Sequence, residues 1–209
     1  MLPRPDPSTK ERILLAGLRM FGERGYAAAS MRAITEAAGV NVAAVNYHFG
    51  GKAALLRAVT EFVMGTVNAE RDRLLDELLA QDTPPTATAL VSVFIATGAR
   101  IAERSDEHGP DIARFVGRVV CEPHPEVRRL FGDAVSPTER RYLDALRAAL
   151  PEIDAAVVEF RYRAMVGLLA LYQTGALTDL SPGTRSRRRR SRRSELEQLQ
   201  LTAQAMFHP

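Results

Sequence analysis

Residues 30–52, SMRAITEAAGVNVAAVNYHFGGK, encode two short helices separated by a single glycine turn. Ser30 can cap a helix whose apolar residues recur at helical spacing, and Gly39 follows where that helix would end in a left-handed turn. Asn41 offers a second cap two residues later, and a second short helix follows it over residues 42–49. Two short helices joined by a tight glycine turn form a helix-turn-helix.

The outward face of the second helix carries side chains suited to reading double-stranded DNA. Ala43 and Ala44 let a backbone approach base edges closely, and their methyl groups can meet a thymine methyl group. The Asn46 amide can make two hydrogen bonds to adenine, while Tyr47 and His48 can donate to phosphate oxygens. The pattern predicts a helix that enters the major groove. For His48 the alternative is a buried structural role.

Phosphate contacts are predicted at the edges of the same motif. Arg32 stands where the duplex backbone would run, with a merely solvated arginine as its alternative. Lys52 follows Gly50 and Gly51 at the start of another helix, whose free backbone amides favour an anion. The predicted DNA-binding residues are Ser30, Arg32, Val42, Ala43, Ala44, Asn46, Tyr47, His48 and Lys52.

At these residues the chain resembles the tetracycline-repressor (TetR) family of transcriptional regulators. The family hallmark is a recognition helix ending in Tyr-His-Phe, then a small pair, a lysine and a leucine-rich helix; here residues 46–52 read NYHFGGK and are followed by Leu55 and Leu56. The resemblance includes FGERGY at 21–26 and ITEAAGV at 34–40.

The recognition helix departs from the commonest family pattern at one position. Asn46 stands where many members carry the first of two tyrosines, and asparagine is shorter and better suited to a base than to a phosphate. Val-Asn-Tyr-His-Phe is similar to a family variant, some of whose members resemble regulators that sense fatty acids or other lipophilic compounds.

Composition indicates a soluble globular protein. The 209 residues are 46% hydrophobic, which is enough for a packed core, and no run of about 18 apolar residues could span a bilayer. The N-terminus lacks the apolar core of a secretory signal, and the single Cys121 cannot form an internal disulfide. We therefore expect a cytoplasmic protein, without a cofactor and without a metal site, because no Cys/His cluster has metal-ligand spacing.

The net charge of +3 is distributed unevenly along the chain. Residues 1–52 hold seven Lys/Arg against four Asp/Glu, whereas residues 53–184 hold fourteen against nineteen. The predicted DNA-reading end is therefore basic. Residues 185–193 add seven arginines within a predicted loop at 184–194, which we interpret as an exposed disordered linker rather than as extra phosphate contacts.

The predicted fold is all-α, with two domains. An N-terminal three-helix DNA-binding domain is assigned to residues 1–52, with its first helix from Glu11 to Arg24 and Gly25 as the stop. A helical ligand-binding and dimerisation domain is assigned to residues 53–209. A long helix from Lys52 links the two as a lever. Further helices are predicted over residues 86–104, 110–120, 125–131, 137–150 and 153–175.

The predicted helix at 153–175 is apolar nearly all round, which is readily explained if part of its surface meets a second subunit. A monomeric core is the alternative. The final helix carries a further apolar stripe, consisting of Leu196, Leu199, Ala203 and Phe207. The resemblance implies that the last two long helices of each subunit pair as a four-helix homodimer interface.

The resemblance also implies a small-molecule pocket in the body, whose occupation respaces the two recognition helices on a palindromic operator. The candidate lining is Phe94, Phe115, Val119, Met165, Leu169 and Tyr172, with Arg114 or Arg118 for an anionic head group. Ordinary core packing, and ion pairs of these arginines with Asp111 or Glu122, are the alternatives. The expected effector is apolar or amphipathic and acyl-like.

Two other classes of protein are weighed against a regulator. A ligand-independent architectural DNA-binding protein would share the helix-turn-helix. A helical enzyme would have to use His108, His124 and Cys121, but no phosphate loop, nucleophile elbow or paired-carboxylate motif accompanies them. The sequence therefore favours a regulator without catalytic residues, and repression is the commonest habit of the family it resembles.

Overall fold

The computed structural model describes residues 8–101, 108–179 and 192–208, and the regular structure in these ranges is entirely α-helical. The predicted arm before Ser8 and residues 184–191 of the predicted arginine-rich loop lie outside the described residues. The helices are α1 (Thr9–Ala28), α2 (Met31–Ala38), α3 (Val42–Phe49), α4 (Lys52–Leu79), α5 (Ala87–Ile101), α6 (Gly109–Val120), α7 (Pro125–Ala149), α8 (Ala155–Thr174), α9 (Ala176–Asp179) and α10 (Arg192–Ala205). None of them, within those ranges, has the length and apolar content to traverse a bilayer.

Helix α1 covers the other two helices of the N-terminal head. The Ser8 hydroxyl accepts a hydrogen bond from the Glu11 N–H at 3.2 Å, and the predicted apolar stripe is buried at Ile13 and Phe21 and half-buried at Leu14. The predicted stop at Gly25 is wrong in detail. Gly25 takes a φ of 75° and kinks the chain, after which a further helical turn runs on to Ala28.

Two hydrophobic cores meet along the 28-residue helix α4. The first core joins α1, α2, α3 and the first part of α4 up to Val67 with α6 and the start of α7. The second core joins Leu75 of α4 with α5, α7, α8 and α10. The long helix therefore belongs to both, as expected of a lever, while the domain boundary after residue 52 stays a prediction.

Helix α7 corrects the two separate helices predicted over 125–131 and 137–150. It runs unbroken for 25 residues with Pro137 in its interior. An interior proline loses one backbone hydrogen bond, so contacts to a neighbouring helix must hold the two halves in line. The Thr138 hydroxyl donates to Asp72 of α4 at 2.9 Å, and Arg141 pairs with Asp72 at 2.7 Å and with Asp76.

The last helix, α10, packs against its own chain. Leu199, Ala203 and Phe207 of the predicted dimer stripe are buried in the second core, and Leu196 packs partly against it. This corrects the expectation that the stripe faces a second subunit. Helix α10 also begins at Arg192, so the end of the predicted loop at 184–194 is helical.

Gly117 sets the close approach of α6 and α8. A Cβ at this position would lie 2.8 Å from Thr174 Cγ2 and 3.0 Å from the Ala170 carbonyl oxygen, whereas a Cβ at Gly132 of α7 meets nothing within 4 Å. Gly117→Ala should lower the free energy of unfolding by about 1–3 kcal/mol through overpacking. Gly132→Ala should raise it by up to about 1 kcal/mol, because alanine is the better helix former.

Urea unfolding at one fixed protein concentration measures both changes. Equal shifts for the two variants would show that the α6–α8 approach is not tight.

Candidate nucleic-acid interface

Backbone and side-chain caps hold α2 and α3 in the predicted helix-turn-helix. The Ser30 hydroxyl accepts from the Ala33 N–H at 3.1 Å, and Gly39 ends α2 with φ 64° and ψ 39°. The Asn41 carboxamide oxygen accepts from the Ala44 N–H at 2.9 Å and starts α3. The caps and the left-handed glycine predicted from residues 30–41 are confirmed.

One side of α3 is anchored in the head and the other faces solvent. Val45 is fully buried in the first core, and Ala44 and Phe49 pack partly against it. Ala43 and Asn46 are exposed, and the Tyr47 side chain is 86% exposed. Helical spacing therefore places the predicted base-reading residues on the free side, except that Ala44 is half-buried.

The remaining predicted contacts surround this free side. Val42, Ser30 and Arg32 are exposed, and Arg32 has no ion-pair partner in the described parts of the chain. His48 is half-buried, and its ring meets the Tyr47 ring edge-on with 5.1 Å between centroids. Arg32 is therefore free to reach a phosphate, whereas His48 also supports the position of Tyr47.

Lys52 joins the start of α4 to the end of α1. Its Nζ lies 4.5 Å from the centroid of the Tyr26 ring and 3.5 Å from the Ala27 carbonyl oxygen, to which it donates. Desolvation lowers the pKa of the Lys52 amine. Gly50 and Gly51, with φ of 80° and 140°, turn the chain from α3 into α4 without a side-chain cap, so the first α4 amides stay unpaired.

Sequence reasoning missed the position of Tyr26 in this arrangement. The Tyr26 ring contacts both Lys52 and His124, and the His124 ring meets it edge-on with 5.1 Å between centroids. The FGERGY segment carries the residue, but only the folded chain brings it to the start of α4.

The predicted ligand-lining residues fall into two groups that lie in different cores. Phe94, Met165, Leu169 and Tyr172 are buried in the second core. Phe115 and Val119 are buried in the first core, where α6 packs along α1. The structure therefore does not bring the predicted lining together around one space.

Both arginines proposed for an anionic head group are engaged within the protein: Arg114 contacts α6 and α1, and Arg118 contacts α1. Arg114 pairs with Asp111 at 2.9 Å and lies 3.6 Å from a Glu23 carboxylate oxygen. Arg118 donates from Nη2 to the Glu23 carbonyl oxygen at 2.9 Å and from Nε to the Gly22 carbonyl oxygen at 3.4 Å. These guanidinium groups hold α6 to the end of α1.

A cleft that sequence reasoning did not predict opens beside the helix-turn-helix. It has a volume of about 330 Å³ and lies between α1, α2 and the start of α6, with Arg12, Arg19, His108 and Asp111 among its lining residues. Four further lining residues are apolar, so this cleft is of mixed character, unlike the apolar pocket expected from the sequence; they are Leu15, Ala16, Ala37 and Ala38.

The residues of the enzyme alternative do not form a catalytic pair. Cys121 is exposed, and no hydrogen bond joins it to His124 within the described ranges. The ring of His124 packs against Tyr26 instead. No group of three potential metal ligands occurs among the described residues.

Comparison with models of known protein families shows which class of protein this chain belongs to. Residues 13–59 match the model of bacterial regulatory proteins of the tetR family, and residues 92–196 match that of the tetracyclin repressor-like C-terminal domain. The second match alone spans half of the chain. The chain belongs to the TetR family. It is a DNA-binding transcriptional regulator with the all-α fold predicted from its sequence.

Relatives extend the likeness over most of the chain. The HTH-type transcriptional regulator BetI of Rhizobium meliloti is 29% identical over 171 residues, which are 81% of this chain and 79% of BetI. SmeT, the repressor of the Stenotrophomonas maltophilia multidrug efflux pump SmeDEF, has a similar structure with a TM-score of 0.63 and 20% identity, over 96% of this chain and 88% of SmeT.

A second solved structure, that of FadR from Bacillus subtilis in complex with stearoyl-CoA, has a TM-score of 0.60 and 16% identity, over 94% of this chain and 96% of FadR. Structural likeness at these identities shows the shared fold. The assignment of Val-Asn-Tyr-His-Phe to a particular variant of the recognition helix stays a prediction.

The Asn41 cap generates a prediction about the stability of this TetR-type head. Asn41→Ala should lower the free energy of unfolding by about 1 kcal/mol, because the Ala44 N–H loses its acceptor. Asn41→Ser should retain most of that stability, since serine is an equally good cap. Urea unfolding followed by circular dichroism measures both, and an equal loss in the serine variant would contradict a capping role.

Proposed function

We propose that this TetR-family protein is a homodimeric repressor that binds a palindromic operator through α3 and is released by an apolar or amphipathic small molecule. The observation that carries the proposal is the free side of α3, where Ala43, Asn46 and Tyr47 are exposed while Val45 anchors the helix. Such a regulator acts on the chromosome, so we place it in the cytoplasm.

The proposed DNA contacts divide into base reading and backbone positioning. Ala43 and Asn46 would meet base edges, together with the half-buried Ala44 and with Val42 at the start of α3. Arg32, Tyr47, His48 and the α4 start at Lys52 would contact phosphates, and Ser30 would contribute through its place at the start of α2. The exposure of Arg32 and Tyr47 supports this division.

The proposed dimer interface is an apolar stripe on α8 that is exposed at Val157 and Phe160 and half-buried further along the helix. Val158, Tyr162, Met165 and Leu169 face the second core, and a second apolar stripe runs along an adjacent side of the helix. That second stripe consists of Val157, Phe160, Ala164, Leu168 and Leu171, in which Phe160 is 73% exposed. On α10 the exposed large apolar residue is Leu201, at 59%.

An apolar stripe of this kind is typical of a surface covered by a second copy. Two copies related by a twofold axis present two recognition helices, which reach successive major grooves when roughly 34–36 Å apart. A change in that distance prevents both from binding together.

The effector is proposed to bind in the second core, near Phe94, Met165, Leu169 and Tyr172. FadR of Bacillus subtilis, which has a similar fold, holds stearoyl-CoA in its complex. In this chain, Arg114, Phe115, Arg118 and Val119 join α6 to α1, so in our proposal they transmit the effect of binding rather than contact the effector.

Asn46 and Arg32 provide a test of the two kinds of DNA contact. With an operator selected from random DNA, Asn46→Ala should weaken binding to the preferred sequence by about 1–3 kcal/mol and leave binding to single-base variants at one position almost unchanged. Arg32→Ala should weaken binding to all sequences alike and reduce the salt slope by about 1. Fluorescence anisotropy at several salt concentrations measures both.

Asp82→Ala serves as the control, because Asp82 is exposed beyond the far end of α4 and should not affect DNA binding. A uniform loss in the Asn46 variant would assign that residue to the backbone instead of a base. If neither the Asn46 nor the Arg32 variant changed DNA binding, the proposed interface would be contradicted.

Phe160 provides a test of the dimer. Phe160→Glu should convert a dimer into a monomer, because burying an unpaired carboxylate in an apolar interface is strongly unfavourable. Leu79→Glu makes the matched control, since Leu79 is an exposed apolar residue at the end of α4 and should leave the dimer intact. Sedimentation velocity gives the mass, and a Phe160→Glu variant that stays dimeric would place the interface elsewhere.

A further inference from the structure

Arg71 is a buried charge in the second core that the sequence did not single out. It lies on the inward side of α4 and is only 7% exposed. Its guanidinium carbon stands 3.9 Å from the centroid of the Phe94 ring. The Arg71 Nε is buried and has no hydrogen-bond partner.

The aromatic groups around Arg71 do not neutralise it. The Phe94 ring meets the rings of Tyr142 and Tyr162 edge-on, with 5.2 and 5.4 Å between centroids. Desolvation by burial raises the pKa of Tyr142 to about 12 and also raises that of Tyr162, so both phenols are neutral at physiological pH. The Tyr142 hydroxyl donates to the Arg71 backbone carbonyl at 3.3 Å and offers the guanidinium no negative charge.

The two aspartates of α4 nearest to Arg71 are paired with α7. Asp72 accepts from Arg141 at 2.7 Å and from the Thr138 hydroxyl at 2.9 Å, and Asp76 also pairs with Arg141. Burial lowers the pKa of Arg71 and the charge of Asp72 opposes this without an ion pair between them, while the charge of Glu139 adds to the burial that raises the pKa of Tyr162. In the described parts of the chain, no carboxylate oxygen lies within 4 Å of the Arg71 guanidinium and no acceptor receives a hydrogen bond from it.

An isolated cation in this position is unfavourable. Burial lowers the pKa of Arg71, but a guanidinium does not lose its proton in proteins, so the charge persists. A ring face returns only part of the free energy lost on desolvation. Buried polar groups nearly always have a partner, and here the described residues supply none for the Arg71 Nε.

We propose that Arg71 anchors an anion subsite between α4, α5, α7 and α8, and that the effector is a small organic carboxylate with an apolar body. A carboxylate matches the planar fork of a guanidinium and carries the single charge that Arg71 needs. The apolar body would extend among Phe94, Met165 and Leu169 of the same core. This inference rests on the proposed effector-controlled function and names the chemical class of the effector.

The position of Arg71 connects such an anion to the DNA-binding head. Arg71 and Lys52 belong to one continuous helix, and their separation of nineteen positions corresponds to about 28 Å. An anion that draws the guanidinium from the Phe94 face acts directly on α4 and hence on the start of that helix beside α3.

Calorimetric titration of the full chain, in a chloride-free buffer, tests the proposal with matched pairs of probes. Octanoate and phenylacetate are compared with their neutral amides, and inorganic phosphate and chloride are titrated alone. We expect at least one carboxylate to bind roughly tenfold or more tightly than its amide, because only the carboxylate compensates the buried charge. Arg71→Met should reduce this ratio to about one.

Melting of Arg71→Met and titration of a control variant separate an effect on binding from an effect on folding. Arg71→Met should melt at the same temperature as the unliganded protein or higher, because an apolar side chain of similar length removes an uncompensated charge. A structural cation–π contact would instead make that variant melt lower. Arg73→Met is the matched control, since Arg73 on the same helix is exposed and paired with Glu70 and Glu77, and should leave carboxylate binding unchanged.

Several results would overturn the inference. They are the absence of any carboxylate preference over the amides, binding of phosphate or chloride with the same dependence on Arg71, and a marked fall in melting temperature in Glu139→Gln, which would make Glu139 the partner of Arg71. The titration contains no DNA, so its failure is distinguishable from that of the proposed function. If the unmodified protein did not bind an operator, only the proposed function would be contradicted.

Discussion

The burial of α4 in two cores at once governs how this molecule holds together. Leu55, Val59 and Val63 lie in the first core and Leu75 lies in the second, on one uninterrupted helix. Each fully buried aliphatic side chain contributes about 1.5–3 kcal/mol, so neither end of the helix is free to leave its core. A change in the packing of one core therefore reaches the other through a rigid element.

Features that depend on three or four neighbouring residues could be predicted from the sequence. The caps at Ser30 and Asn41 and the left-handed turn at Gly39 are set by local side-chain chemistry and by the absence of a Cβ. The exposed face of α3 follows from the 3.6-residue period once Val45 is assigned to the core. The helix-turn-helix and its free side were therefore accessible without coordinates.

Features that depend on a partner far away in the sequence could not be predicted from it. Pro137 predicts a helix start from its own chemistry, and only the bonds from Thr138 and Arg141 to α4 explain a continuous helix. The pair of Arg114 with Asp111 is local and was an alternative in the sequence, but the contacts of Arg114 and Arg118 with α1, to Glu23 and Gly22, depend on the fold. Arg71 stands among charged residues in the sequence and is buried only because α5 and α7 pack over it.

Helix α6 adds a second connection between the cores, and the two connections together restrict how the molecule can change shape. It packs on α1 through Phe115 and Val119 and on α8 through Gly117, whose missing side chain admits Thr174 and Ala170. Because α4 belongs to both cores and α6 joins the first core to α8, a small shift of one helix alone would strain the contacts of the other. Close-packed interiors respond to such strain by changing between discrete arrangements. A regulator built in this way changes state as a unit, because α4 and α6 must move together.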